Sequence, residues 1–178
     1  MKIIILLVFL TMFLFNSTSN SNENLSLYDF SFEDIDGNQV NLEKFTGKPI
    51  LVVNTASRCG YTPQYANLQN LFLEYKDSDL TIIATTSNSF YQEYDEVEDI
   101  KKICLVNYGV GFVTSSPMSV KGNDAHPLYA WINDVYGKKP KWNFFKYLFD
   151  RNGKLIESWS SMTKPDSSKI TKQIDKLI

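Results

Sequence analysis

Two cysteines, Cys59 and Cys104, carry most of the chemistry open to this chain. Cys59 lies in NTASRCGYTPQY, residues 54–65, where the apolar run PILVVNTAS gives way to a segment with helical spacing. A cysteine at the mouth of a helix meets free N–H groups and the positive end of the helix dipole, and both favour a thiolate. Arg58 adds a cation, Gly60 permits a tight turn, and Pro63 suits a first helical turn. The chemistry expected here is a nucleophilic sulfur. The bland alternative is a small apolar residue at a strand end. Cys104 lies in DIKKICLVNYGV, on the inward face of a helix marked by Val97, Ile100 and Ile103. Two cysteines and one histidine are too few for a four-ligand Cys/His zinc site, so no metal is expected, and no motif asks for a bound cofactor. A Ser-His-Asp hydrolase would rest on His126 alone.

These residues need elements to hold them. The chain has 178 residues, 43% hydrophobic and 14% aromatic, which supports one well-packed domain and excludes global disorder. Eighteen basic against 20 acidic residues argue against a nucleic-acid partner. The apolar run from Ile3 to Phe15 is shorter than the roughly 20 residues a spanning helix needs. With Ser17 and Ser19 at −3 and −1 of a cleavage point, residues 1–19 read as a secretory signal, the alternative being an uncleaved anchor. The expectation is a periplasmic or secreted protein, where a cysteine pair oxidises readily; a simple staple is the alternative reading of that pair. Residues 20–26 read as a polar linker and 27–178 as one domain.

Along that domain, strands and helices alternate. Asp36-Gly37 predicts a hairpin within LYDFSFEDIDGNQVNL. PILVVNTAS and LTIIATTS read as strands buried on both faces. Gln64 to Lys76, the segment around Val97 to Cys104, His126 to Val135, and Ile170 to Leu177 read as helices. FFKYLFD and KLIESWS, joined by Asn152-Gly153, form a second hairpin. This order predicts an α/β fold: a thioredoxin-like sandwich with a mixed central sheet flanked by helices and a hairpin at one edge.

NTASRCGYTPQY resembles the active-site segment of cysteine-containing glutathione peroxidases of the bacterial type. The resemblance runs on through NYGV (107–110), VKGNDAHPLY (120–129), KWNFFKYLFDRNGKL (141–155) and SMTKP (161–165), over nearly all of the domain. It implies a thioredoxin-like fold and reduction of hydroperoxides to water or alcohols. Cys59 matches the attacking cysteine, whose thiolate becomes a sulfenic acid. Trp142 and Asn143 match two residues that aim N–H groups at that sulfur. The family's third such group is a Gln in an Asn-Gln-Phe segment; here the segment reads Asn88-Ser89-Phe90, so Ser89 takes that place with a shorter reach. The loop Tyr91-Gln92-Glu93 also lacks one residue, Thr85-Thr86 replace a common Phe-Pro, and Val113 replaces a common Pro.

Cys104 matches the resolving cysteine of thioredoxin-linked members, whose thiol forms a disulfide with the oxidised Cys59. That step is expected to unwind the helix over 97–106, because a disulfide needs its Cα atoms about 4.4–6.8 Å apart. The resemblance thus implies a hydroperoxide substrate and a thiol reductant, either a thioredoxin-like protein or glutathione. Other readings stay open: a thiol–disulfide relay, a peroxide sensor, or a domain stapled by a permanent disulfide. His126 is expected to cap a helix rather than to catalyse, and Asp124 and Glu93 read as surface charges. Lys138, Lys139, Lys141 and Lys146 read as a solvated rim, with attraction of lipid headgroups or an acidic donor as the sharper alternative. The short connection from Trp131 to Lys141 resembles monomeric relatives, so a monomer with an open site is expected.

Overall fold

The computed structural model describes residues 24–178. The expected signal, residues 1–19, and the linker up to residue 23 lie outside the described residues. Among the described residues no helix is long and apolar enough to cross a membrane.

Strands β1 (Ser31–Glu33) and β2 (Gln39–Asn41) form the expected antiparallel hairpin. Gly37 supplies the left-handed corner with φ +86°, and the Asp34 carboxylate accepts the Asp36 and Asn38 N–H groups. The main sheet contains β3 (Ile50–Thr55), β4 (Thr81–Thr86), β5 (Val113–Thr114), β6 (Lys146–Phe149) and β7 (Leu155–Trp159), in the order β5-β4-β3-β6-β7. β3, β4 and β5 run parallel, whereas β6 and β7 pair antiparallel to their neighbours, so the sheet is mixed. The helices are α1 (Gln64–Glu74), α2 (Val97–Lys101), α3 (Pro127–Tyr136) and α4 (Ser168–Ile174).

Strand alternation sorts the core into two layers. Leu51, Val53, Ile82, Ala84 and Leu148 meet Leu68 and Leu71 of α1, Ile100 of α2, and Ile170 and Ile174 of α4. Ile50, Val52, Ile83, Tyr147 and Phe149 meet Leu128, Trp131 and Ile132 of α3, with Phe32 and Val40 from the hairpin. All six residues of β3 are buried, as a central strand covered on both faces requires. This is the thioredoxin-like sandwich, with β7 as its antiparallel edge.

Three local features differ from expectation. The helix after residue 97 is α-helical only through Lys101; residues Lys102–Asn107 form a wider π turn, closed by the Tyr108 N–H on the Ile103 carbonyl at 3.2 Å. Cys104 lies inside that π turn. Strand β5 has two residues, too few to show a periodicity in sequence. Lys146 is no part of a solvated rim. It begins β6, and alternation puts it on the same layer as Leu148, with no exposed surface. Lys138, Lys139 and Lys141 are exposed, as expected.

Candidate active site

β3 ends at Thr55, and the chain then makes a run of tight turns into α1. Successive i to i+3 bonds step through it: Thr62 N–H to the Cys59 carbonyl at 3.0 Å, Gln64 N–H to Tyr61 at 2.9 Å, and Tyr65 N–H to Thr62 at 3.0 Å. Thr62 staples the turn, since its hydroxyl accepts the Cys59 N–H at 3.0 Å and donates to the Ala56 carbonyl at 2.9 Å. The Tyr61 N–H donates to Cys59 Sγ at 3.4 Å. Cys59 is 7% exposed, so its residue is largely enclosed yet keeps an opening to solvent. Gly60 lies inside the tight turn expected of it, between the Cys59 carbonyl and the Thr62 N–H; its φ is not left-handed, and a Cβ there would meet no atom within 4 Å. The Arg58 guanidinium is turned onto the Tyr94 ring, 5.3 Å from its centroid.

A second loop, Trp142 to Phe145, is clamped to the end of β3 by Asn54. The buried Asn54 carboxamide donates to the Trp142 carbonyl and accepts the Phe145 N–H, both at 3.0 Å. The Asn54 carbonyl accepts the Phe144 N–H at 2.5 Å. Phe144 is held at φ +62°, a conformation that bulky residues rarely adopt. Among the described residues the other non-glycine with positive φ is Tyr91, in the loop that faces this one. Backbone strain of this kind gathers at functional sites.

The Trp142 indole is 39% exposed and packs on Phe90 at a centroid distance of 5.4 Å. Asn143 is fully buried; its Nδ2 donates to Gln92 Oε1 at 3.2 Å, while its Oδ1 has no partner among the described residues. The Gln92 carbonyl accepts the Arg58 N–H at 2.8 Å. Gln92 therefore bridges Asn143 to the residue beside Cys59. Neither the indole nor the Asn143 amide bonds Cys59 Sγ directly among the described residues; catalytic hydrogen bonds often tighten only around the reacting species.

The Ser89 hydroxyl is engaged by its own loop and by the segment at 119–120. Its hydroxyl accepts from Ser87 Oγ at 3.0 Å and from the Val120 N–H at 2.9 Å, and lies 3.4 Å from Ser119 Oγ. Among the described residues no hydrogen bond joins it to Cys59. Gln92 is the functional candidate that sequence reasoning missed. The available signal was a carboxamide residue three positions after Ser89, whose backbone carbonyl meets the Arg58 N–H.

Glu93 is not a surface charge. It is 3% exposed because Oε1 accepts the N–H groups of Ser57 and Tyr94, each at 3.0 Å, which pulls the carboxyl under the cysteine loop. Its Oε2 has no partner among the described residues. Burial raises its pKa above the ordinary 4.5, against the lowering effect of those bonds. The folded state therefore holds a proton that the unfolded chain gives up. This contribution to stability is present below about pH 4.5 and is lost as pH rises through the raised value. Glu93→Gln keeps an Oε1 acceptor and cannot ionise. Its stability relative to the wild type is expected to increase as pH rises above about 4.5, read from urea midpoints; parallel pH curves would contradict this.

Cys104 is fully buried, and its thiol points at the Lys101 carbonyl, 4.0 Å away. Burial pushes its pKa up to about 11, so it is a neutral thiol in the resting fold. Both cysteines are free. His126 caps α3 as expected, its Nδ1 accepting the Leu128 N–H at 3.3 Å, and burial lowers its pKa. Among the described residues no group of three or more His, Cys, Asp or Glu side chains could hold a metal.

Comparison with known proteins meets this geometry from outside. The family model for glutathione peroxidase matches residues 27–133. The chain is 38% identical over 159 residues to a glutathione peroxidase of Lactococcus lactis, covering 86% of this chain and all of that one. It is 38% identical over 164 residues to the hydroperoxy fatty acid reductase gpx1 of Synechocystis, covering 86% of this chain and 96% of that protein. The crystal structure of Trgpx in apo form superposes with a TM-score of 0.69 at 33% identity, covering 86% of this chain and 95% of that one. With the match extending from the hairpin through the cysteine turn to α3, the chain belongs to the glutathione peroxidase family of oxidoreductases.

Proposed function

We propose that this protein is a thiol peroxidase that reduces hydrogen peroxide and organic or lipid hydroperoxides through Cys59. The observation that carries the reading is the Cys59 sulfur, held in a stapled turn with an N–H aimed at it and a solvent opening beside it. In the first step the sulfur attacks one peroxide oxygen and the O–O bond breaks. The leaving hydroxide or alkoxide takes a proton to become water or an alcohol, and Cys59 becomes a sulfenic acid. The Tyr61 N–H serves the charge on sulfur. Trp142 and Asn143, carried on the Asn54-clamped loop, supply N–H groups for the leaving oxygen. Cys104 then attacks the sulfenic sulfur, water leaves, and a Cys59–Cys104 disulfide forms. Two thiols of a thioredoxin-like protein or of glutathione restore the pair.

The resolving step asks the Cys104 segment to open. The π turn at Lys102–Asn107 is suited to that, being a less regular stretch at the end of the short helix α2. The likeness to the Synechocystis reductase supports a lipid hydroperoxide among the substrates. The exposed Lys138, Lys139 and Lys141 beside Trp142 support contact with anionic headgroups. Residues 1–19 support a periplasmic or secreted location, and the short Trp131–Lys141 connection supports a monomer.

The test is coupled turnover. NADPH oxidation is followed with hydrogen peroxide or a fatty-acid hydroperoxide, using thioredoxin with its reductase or glutathione with its reductase. Turnover with thioredoxin is the expected result. No turnover with either donor, while Cys59 still oxidises, points instead to a sensor or relay.

A further inference from the structure

Lys146 has no exposed surface, which is rare for a lysine without a charged partner. Its ammonium donates to Gln64 Oε1 at 2.5 Å and to the Ser161 carbonyl at 3.5 Å. The Gln64 Nε2 donates to the same carbonyl at 2.6 Å, and the Ser161 hydroxyl donates to the Asn143 carbonyl at 2.5 Å. Gln64 and Ser161 are themselves buried. Lys146 of β6 and Gln64, the first residue of α1, thus converge on the Ser161 carbonyl in the turn after β7, and the Ser161 hydroxyl holds the backbone of Asn143. Beyond Asn143 the path continues through Gln92 to Arg58, next to Cys59.

No charge compensates the lysine. The titratable groups on the elements packed against it are Tyr65 and Glu74 of α1, Glu157 of β7, and Lys164 and Asp166 of the following turn. Among the described residues none of them hydrogen-bonds or ion-pairs with its ammonium. Burial alone lowers its pKa from 10.5 to about 7. An apolar residue of similar volume would avoid that desolvation. The position therefore trades stability for something else.

We propose that Lys146 is a positioning residue: its amine locks Gln64 and Ser161 so that they hold Asn143 and the first turn of α1 in register around Cys59. The proposal rests on the peroxidatic reading of Cys59. Because the folded pKa is depressed, the unfolded chain binds more protons between about pH 7 and 10.5, and stability rises with pH through that window.

The test compares the full chain with Lys146→Met and Ser161→Ala. Oxidation of Cys59 by hydrogen peroxide and its alkylation by iodoacetamide are each followed across pH by mass spectrometry. Lys146→Met is expected to melt at the same or a higher temperature and to lose the rise of stability with pH. Its Cys59 is expected to react at least about tenfold more slowly with peroxide, as small misplacements of reacting groups do. Both wild-type profiles are expected to show an inflection near pH 7 that Lys146→Met lacks. Ser161→Ala removes the hydroxyl on Asn143 and is expected to reproduce part of the rate loss, less than additively with Lys146→Met.

A lower melting temperature with an unchanged pH profile marks a merely structural lysine and overturns the proposal. Unchanged rates in both variants overturn it too. If Lys146→Met does not fold, Ser161→Ala decides by its rate. If wild-type Cys59 ignores peroxide, the peroxidase reading fails, and the iodoacetamide profiles still decide the role of Lys146.

Discussion

Cys104→Ser is expected to oxidise Cys59 at the wild-type rate with the first equivalent of peroxide and then to stall. The physical reason lies in where the two sulfurs sit. Cys59 is stapled in an open turn and needs nothing from Cys104 to meet a small oxidant. Cys104 is a buried neutral thiol inside a π turn, so its part comes only after that segment opens. Steady-state turnover with thioredoxin is expected to fall by on the order of 10²-fold or more, because a sulfenic acid without an internal thiol waits for an external one. Rapid mixing separates the two steps, and dimedone traps the stalled sulfenic acid. Undiminished turnover with thioredoxin would contradict the two-cysteine route and leave Cys104 as a core residue.

The second large effect is expected at Asn54, which touches neither sulfur. Its carboxamide satisfies the Trp142 carbonyl and the Phe145 N–H, and the Phe144 backbone between them is strained. Asn54→Ala leaves both groups without partners in a part-buried site. At about 1–3 kcal/mol for each unsatisfied group, the fold loses up to about 2–6 kcal/mol. The released strain lets Phe144 leave φ +62°, and Trp142 and Asn143 move with it. Peroxide reactivity of Cys59 is expected to fall by on the order of 10²-fold, the scale of losing positioned donors. Asn54→Asp keeps the acceptor for Phe145 and loses the donor to Trp142, so it is expected to fall between wild type and Ala. Urea unfolding and stopped-flow oxidation measure both effects; an Asn54→Ala protein with wild-type reactivity would show that the clamp does not position the loop.

Much of this architecture is legible in the residues. PILVVNTAS and LTIIATTS announce central strands because both of their faces are covered, and Asp36-Gly37 and Asn152-Gly153 announce their turns through glycines at φ +86° and +72°. Cys59, Trp142 and Asn143 are singled out by the motifs around them, and the structure puts Cys59 in the turn before α1 and the other two on the Asn54-clamped loop. What was not legible depends on partners distant in sequence. Glu93 is drawn inward by the N–H groups of Ser57 and Tyr94, and only the fold brings Ser57 there. Lys146 sits in a basic stretch, and its burial follows from β6 lying between β3 and β7. Counting along the segment selects Ser89, whereas the hydrogen bonds tie Gln92 to Asn143 and Arg58. The π turn around Cys104 has the same apolar spacing as a short α-helix and is distinguished only by its hydrogen bonds.

The central claim is that Cys59 is the atom that meets peroxide. The most direct measurement adds one equivalent of hydrogen peroxide to the reduced protein and maps both cysteines by peptide mass spectrometry, with total thiols titrated in parallel. The account predicts two thiols lost per peroxide consumed, a Cys59–Cys104 disulfide, and a sulfenic acid at Cys59 when Cys104 is Ser. A Cys59 thiol that stays intact while peroxide is consumed, or a Cys59→Ser protein that consumes it as fast, would contradict it.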